Sequence, residues 1–471
     1  MILLDSLFIP GDIIAAPVFI VILLMAMSMV VKKYQDDRIK TLFLKAFYFK
    51  IFMTLAYTSV MTFYYGGKGD TEMYYFCTLD LHKAVMDNTD NFYKIYATKV
   101  INVKTSLMDY FIYDGYDYPN FEFMHSASNF MIPKLGLPFA LIFNKSYLCM
   151  ALAFSFFALG GAIRLFKLFY HYFPKYYREI AFATLFLPSA TFWSSGFLKD
   201  AICFGSVGYL TYGMFNIFVK KTKIASSLIW VGISVVFLFY IKVYILLAIS
   251  PSIVLWLFSE FNKIVENKIL RRIMGMITFV AGAGTAFLLI NYTTSDESVK
   301  SFQIDTIVET SNFQRSIYEG FSQQYEGSYF NLGSNNPILL FPLGVIATLF
   351  RPFLWETSSP IVMLSAIEAL MFFAFTFMFM IKKGFFTFFT AAFKYPIFIM
   401  CLIFTLLFAA AVGSTATNFG SLSRYKIPCL PFYLTMILIL YREAKLEYPK
   451  WFGNLLGYRK SYNRLKKSTA V

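Results

Sequence analysis

Long apolar runs separated by short basic loops constrain this chain more than any other feature. Twenty-eight of its 42 Lys and Arg residues lie in five short loops and the C-terminal tail. Loops that keep an excess of Lys and Arg stay on the cytoplasmic side of a membrane. The sequence therefore predicts a multi-pass membrane protein whose sidedness is set by these segments. They are 32–50, 164–178, 220–223, 259–272, 382–394 and 442–471.

The apolar runs predict about eleven membrane spans. A helix needs roughly 20 apolar residues to cross a bilayer, and somewhat fewer in a bundle. The N-terminus is expected outside and the C-terminus inside, because only an odd number of spans keeps every basic loop on one side. The fold class is thus an all-α integral membrane protein, with residues 1–441 as one transmembrane domain and 442–471 as a basic cytoplasmic tail. The spans are 12–31, 41–65, 146–163, 179–195, 199–219, 225–240, 243–258, 273–291, 359–381, 393–413 and 427–441.

Some segments are predicted to enter or follow the membrane without crossing it. Segment 337–352 is apolar, yet both its ends belong outside, so it is expected to be re-entrant or interfacial; 129–143 is a weaker example. Irregular backbone at that depth must be buried in protein or line a cavity. Apolar residues recur at helical spacing around Asp80–Val85 and Asp90–Val100, which predicts helices along the membrane surface.

Composition narrows the function classes. The net charge of +15 does not indicate nucleic-acid binding, because the basic residues flank apolar spans and form no single basic face. The five Cys residues contain no CxxC pair, so neither a metal site nor a disulfide framework is indicated. Fifteen of the 27 Asp and Glu residues lie in two outer loops, 66–134 and 292–336.

The first candidate motif is Gly66-Gly67-Lys68-Gly69-Asp70-Thr71-Glu72-Met73-Tyr74, at the outer end of the second predicted span. Glycine allows the sharp turn and a close approach of backbone to a ligand. A carboxylate at Asp70 can act as a general base or bind a divalent cation. A plain loop that starts a helix explains the same residues.

The second motif runs from Leu187 to Asp200 (LPSATFWSSGFLKD) and forms an outer hairpin. Lys199 and Asp200 begin the helix that returns into the membrane. Charges at such positions usually face a cavity or one another. The alternative is a mutually neutralised Lys199–Asp200 pair that only caps the helix.

The third motif is the Leu349–Glu356 segment (LFRPFLWE). The planar guanidinium of Arg351 suits phosphate, and Glu356 is expected to partner either Arg351 or Lys199. An internal Arg351–Glu356 ion pair that closes a hairpin is the structural alternative.

The fourth motif is Ser421–Pro428 (SLSRYKIP), at the outer end of the last predicted span. Arg424 and Lys426 stand where the topology disfavours positive charge, which suits a lipid-linked phosphate or ordinary anionic headgroups. Lys242 is a candidate fifth cation between two spans. Glu368 lies near mid-span and is expected to line a cavity or make a packing hydrogen bond.

In this order the four motifs resemble those of the GT-C glycosyltransferases, polytopic enzymes that take a sugar from a polyprenyl-phosphate donor. The family pattern has an Asp in the first outer loop and a Tyr a few residues on, which Asp70 and Tyr74 match. Related bacterial proteins of polysaccharide gene clusters carry the other three motifs, with Glu where this chain has Asp200. This chain departs from the pattern in an extra first helix and in lacking an Asp-Asp or Asp-Glu pair. It also lacks a large soluble C-terminal domain, which argues against a glycoprotein transferase.

The resemblance implies a GT-C-like bundle in the bacterial cytoplasmic (inner) membrane. Its partners would be a polyprenyl-phosphate sugar and a lipid-linked or envelope glycan acceptor. Asp70 would deprotonate or orient the acceptor hydroxyl, with Glu72 beside it. Dependence on a divalent cation, Mg²⁺ or Mn²⁺, is left open. Donor phosphate would be bound by Arg351, Arg424, Lys426 and Lys199, with Tyr74, Asp200 and Glu356 in support.

Three other functions fit the same sequence. A polysaccharide polymerase of the O-antigen or capsule type has a similar span count and depends on outer-loop Arg residues. A lipid-linked sugar flippase or transporter would place its charges within the spans, where this chain has few. A non-catalytic membrane subunit would leave the outer cations without a role.

Overall fold

The computed structural model of the chain describes residues 7–67, 69–102, 105–112, 123–262, 330, 332, 336–357, 359–416 and 418–458. Within them the secondary structure is helical, and no strand occurs. The predicted span 273–291 and nearly all of the outer loop 292–336 lie outside the described residues. The chain divides into two compact units: unit 1 is 1–165 with 190–246, and unit 2 is 166–189 with 247–471.

The helices of the described residues are numbered α1 to α18 in chain order. Those of the first half of the chain are α1 (Asp12–Val31), α2 (Asp37–Ser59), α3 (Asp70–Asp87), α4 (Asn91–Ala97), α5 (Asp109–Ile112), α6 (Ala127–Ile142), α7 (Tyr147–Tyr172), α8 (Tyr177–Leu185), α9 (Pro188–Trp193), α10 (Lys199–Met214) and α11 (Ile224–Asn262). The described part of the second half adds α12 (Pro337–Phe350), α13 (Pro360–Lys383), α14 (Phe385–Lys394), α15 (Pro396–Thr415), α16 (Phe419–Tyr425), α17 (Leu430–Glu443) and α18 (Lys450–Leu455).

Six helical segments in the described part are long and apolar enough to cross a membrane. They are α1, α7, α10 with its π-helical extension to Lys220, α11, α13 and α15. Ile13 and Ile14 on α1 are 79% and 75% exposed, as expected for side chains that face lipid. The apolar helices thus support the membrane assignment, whereas the count of eleven spans stays a prediction.

Helix α11 consists of two helical stretches that meet at a kink, and each stretch covers one predicted span. The backbone leaves helical geometry at Lys242 (φ −147°, ψ 75°). That break falls between the predicted spans 225–240 and 243–258.

The predicted span 179–195 is interrupted. The structure has two short helices there, α8 and α9, with the chain between them leading into Pro188. Proline lacks a backbone N–H and disfavours helical geometry in the residue before it, so the chain leaves the helix at this point.

In unit 1, glycines bring α7 and α10 into backbone contact. A Cβ on Gly161 would overlap the backbone of Gly205, and a Cβ on Gly208 would overlap the carbonyl of Gly161. Small residues at such crossings are typical of membrane helices, where dispersion contacts drive association. This contact fixes α10, which begins with the second motif's Lys199 and Asp200.

In unit 2, α12 packs closely along α15. A Cβ on Gly413 would overlap the carbonyl oxygen of Gly344, and Thr348 Oγ1 donates a 2.8 Å hydrogen bond to the Ala409 carbonyl. With 14 residues, α12 extends about 21 Å and is too short to cross a bilayer alone. The re-entrant or interfacial role predicted for 337–352 fits this length and stays a prediction.

The predicted outer loop 66–134 and the start of the predicted tail also contain helices. Helices α3 and α4 confirm the helical periodicity predicted for the outer loop, and α3 packs against α6. In unit 2 the tail contributes α18, whose Phe452 is fully buried with its ring 4.8 Å from that of Phe375. The first part of the predicted tail therefore packs as part of unit 2.

Candidate active site

Three glycines with positive φ turn the chain into α3. Their φ angles are +63° at Gly66, +73° at Gly67 and +150° at Gly69, a conformation that glycine adopts without strain. Helix α3 begins immediately afterwards, so the half-buried Asp70 and Glu72 both lie in its first turn. The positive end of the helix dipole favours negative charge at this point.

Tyr74, one turn further along α3, is 1% exposed. Its hydroxyl donates to Asn129 Oδ1 at 3.3 Å, and its ring packs against those of Phe123 and Phe197, with centroids 5.3 and 6.4 Å away. Tyr74 therefore fixes α3 against the start of α6. The supporting role of Tyr74 in phosphate binding stays a prediction.

Lys199 begins α10 and lies close to the first turn of α3. Its Nζ donates to Ser128 Oγ at 2.8 Å, and its charge interacts with those of Asp70 and Lys242. Two of the residues singled out in the sequence, Asp70 and Lys199, are thus brought together in unit 1. The arrangement places a carboxylate and an ammonium group at one side of the unit.

Asp200 forms its ion pair with Lys242, at the break in α11. Lys242 Nζ donates to Asp200 Oδ1, and the two side chains are 10% and 3% exposed. The alternative in which Lys199 and Asp200 only neutralise each other is therefore not what the structure shows. Lys199 itself donates to Ser128 Oγ.

In unit 2, Arg351 and Glu356 form a close ion pair. Arg351 Nε lies 3.1 Å from both carboxylate oxygens, and Nη2 also donates to Oε1. The guanidinium carbon lies 4.9 Å from the ring centroid of Phe330 and 5.2 Å from that of Phe419. The sequence left two partners open for Glu356, Arg351 and Lys199, and the structure shows Arg351. The Phe330 and Phe419 rings restrict the orientation of its guanidinium group.

Lys426 joins the same cluster from the fourth motif. It is fully buried, and its Nζ donates to the Arg351 carbonyl at 3.2 Å. Burial lowers the pKa of Lys426 to about 8, while the Glu368 carboxylate acts in the opposite direction. Arg424 is half-buried, with its guanidinium carbon 5.1 Å from the ring centroid of Tyr425.

Glu368 makes the packing hydrogen bond that the sequence suggested as one of two roles. It is 8% exposed, and its Oε1 accepts from the backbone N–H of Ser189 at 2.7 Å. Ser189 belongs to the second motif. Glu368 therefore ties α13 to the start of that motif within unit 2.

Comparison with protein-family models, with curated proteins and with solved structures finds no match for this chain. The geometry of the described residues is therefore the basis for assigning a function. For a metal, that geometry offers no ready site: within the described residues, no three His, Cys, Asp or Glu side chains converge as ligands. The dependence on Mg²⁺ or Mn²⁺ that the resemblance left open stays untested.

Sequence reasoning missed Lys50. This residue lies within α2, is 5% exposed, and donates to the Thr191 carbonyl at 3.1 Å and to Ser194 Oγ at 2.6 Å. The sequence analysis counted Lys50 with the basic loop 32–50, although it also lies inside predicted span 41–65, where a lysine is a functional candidate by default. Its partners, however, belong to a motif far along the chain.

Proposed function

We propose that the protein is a membrane glycosyltransferase that moves a sugar from a polyprenyl-phosphate donor to a lipid-linked or envelope acceptor. The observation that carries the proposal is that Lys199 donates to Ser128 while Tyr74, one turn after Asp70, donates to the adjacent Asn129, so the first turn of α3 and the start of α10 meet the same residues of α6. The Asp70 carboxylate can take a proton and the Lys199 ammonium can stabilise negative charge. Glycosyl transfer from a phosphate needs both.

The chemistry follows from these two groups. The acceptor hydroxyl oxygen attacks the anomeric carbon, and the bond between that carbon and the phosphate oxygen breaks. Asp70 accepts the hydroxyl proton, and polyprenyl phosphate leaves with the bonding electrons. Lys199 stabilises the negative charge that develops on the leaving phosphate. Glu72, in the same helical turn, adds to the local negative potential.

Within unit 2, the proposal assigns binding of a phosphate group to Arg351, Arg424 and Lys426, independently of the Asp70–Lys199 pair in unit 1. The contact between Lys426 and the Arg351 carbonyl supports a shared role for the third and fourth motifs. Glu356 keeps the Arg351 guanidinium in one orientation, which lowers the entropy lost on binding a phosphate. These assignments rest on the chemistry of the side chains in unit 2.

The proposed reaction takes place on the outer face of the cytoplasmic membrane. Eleven spans with a cytoplasmic C-terminus would place the Asp70 turn and the fourth motif on that face. The six apolar helices support a membrane location. The span count and the sidedness are parts of this proposal.

A transfer assay tests the proposal. Protein in lipid nanodiscs is supplied with polyprenyl-phosphate sugars and candidate glycan acceptors, and mass spectrometry follows both products. Release of polyprenyl phosphate with addition of one sugar to the acceptor is the expected result. A ladder of oligosaccharide repeat blocks would instead indicate a polymerase. Movement of labelled donor across the bilayer without bond cleavage would indicate a transporter.

A further inference from the structure

Lys50 is a buried lysine on α2, 5% exposed. Among the described residues it has no carboxylate partner, and its amino group bonds to Thr191 and Ser194 instead. A polar amino group is costly to bury without partners, and its hydrogen bonds are strong in the low dielectric of the protein interior. Lys50 therefore fastens the turn that follows α9 to the middle of α2.

That turn leads directly to Lys199. Ser194 and Ser195 are fully buried, and their hydroxyls donate back to the Ala190 and Thr191 carbonyls. Gly196, next in the chain, lies so close to the ring of Tyr57 that a Cβ would overlap it. The backbone before Lys199 is thus held by α2 at two successive points.

The same face of α2 also holds the first turn of α3. Lys50 and Tyr57 are separated by seven residues, which places them on one side of a helix. The Tyr57 hydroxyl makes a 2.7 Å hydrogen bond with Thr71 Oγ1, and Thr71 follows Asp70. One helix face therefore contacts both the turn before Lys199 and the turn that carries Asp70.

We infer that Lys50 is a positioning residue that sets the separation between Asp70 and Lys199. It touches neither reacting group in this geometry and acts through the 191–198 segment. The catalytic consequence rests on the proposed function, whereas the anchoring of the segment does not. Misplacement of a catalytic group by about 1 Å can lower a rate about 100-fold.

Three variants test the inference. Lys50→Met removes the amino group and its hydrogen bonds and keeps an unbranched apolar side chain. Lys50→Arg keeps hydrogen-bond donors at this position. Thr54→Val is the matched control, because it removes the bonds from Thr54 to the Lys50 carbonyl (2.9 Å) and to Ser155 Oγ (2.8 Å) and leaves the Lys50 side chain and the anchored segment unchanged.

Transfer kinetics and hydrogen exchange together distinguish a positioning role of Lys50 from a role in folding or in donor binding. In the transfer assay, Lys50→Met should lower kcat about 100-fold with an unchanged KM for the donor. Lys50→Arg should recover most of kcat, and Thr54→Val should match the wild type. By hydrogen-exchange mass spectrometry, amides 191–199 should exchange about tenfold faster in Lys50→Met alone, since the hydrogen bonds of Lys50 to this segment are lost.

The outcomes distinguish this inference from the proposed function. Unchanged exchange at 191–199 in Lys50→Met would overturn the inference, whatever the activity. A rise in KM with unchanged kcat would overturn it too, because that result indicates ground-state binding. If the wild type transfers no sugar, the proposed function fails, and faster exchange confined to Lys50→Met would still support the anchor.

Discussion

Gly196 shows how the absence of one side chain decides local packing in unit 1. The atoms of the Tyr57 ring occupy the space that a Cβ at this position would need. Tyr57 is 1% exposed and is tied to Thr71 by its hydroxyl, so it has little room to move aside. Close approach of α2 to the turn before Lys199 therefore depends on glycine.

We expect Gly196→Ala to lower stability by about 1–3 kcal/mol, because overpacking a filled core forces neighbours out of place. Thermal unfolding in nanodiscs measures the effect. Gly232→Ala is the matched control: Gly232 lies in α11, and a Cβ there meets nothing within 4 Å. Equal melting temperatures of the two variants would show that the Tyr57 side chain moves aside easily and does not fix the turn.

At this scale the sequence predicts residue types and local order better than long-range partners. The glycine turn and the two carboxylates of α3's first turn follow from adjacent residues, since helix starts favour acidic side chains. The bond from Lys50 to Thr191 joins residues 141 positions apart, which no local pattern reveals. The same holds for the pairing of Asp200 with Lys242.

At the scale of elements, the Asp200–Lys242 pair joins the start of α10 to the break in α11. Breaking a buried pair leaves one uncompensated charge and costs about 3–5 kcal/mol, whereas removing both charges is often close to neutral. We therefore expect Asp200→Asn and Lys242→Met to unfold at clearly lower temperatures singly. The double variant should recover most of the loss.

The exposed pair Asp37–Lys40 supplies the control for this comparison of single and double variants. The side chain of Asp37 is 89% exposed, so Asp37→Asn should change stability by less than about 1 kcal/mol. Additive losses in the Asp200/Lys242 double variant would contradict a direct pair. Such additivity would mean that each side chain is held by other partners.

The length and periodicity of the apolar runs predict most helices. The breaks in those helices depend on single residues. The break of span 179–195 could have been read from Leu187-Pro188, since proline disfavours helical geometry just before it. The break in α11 coincides with the isolated Lys242 between two apolar runs. The close contact of α12 with α15 could not be read, because it depends on Gly344 and Gly413 facing each other.

At the scale of the whole molecule, charge bias predicts which loops face which side of the membrane. The five native cysteines are free and buried, so an introduced exposed cysteine should dominate labelling. An impermeant maleimide added to intact cells should label Asp90→Cys. It should label Thr222→Cys, in the basic loop 220–223, only after permeabilisation. Both positions are exposed. The reverse pattern would invert the topology and place Asp70 on the cytoplasmic side.

The most direct test of the central claim compares Asp70→Asn with the wild type in the transfer assay. Asp90→Asn is the matched control, because it neutralises an exposed carboxylate of the same outer loop. The account predicts that Asp70→Asn stays folded and releases about 100-fold less polyprenyl phosphate, in keeping with the loss of a general base. It also predicts wild-type release from Asp90→Asn. Undiminished release from Asp70→Asn would contradict the account and place the base elsewhere.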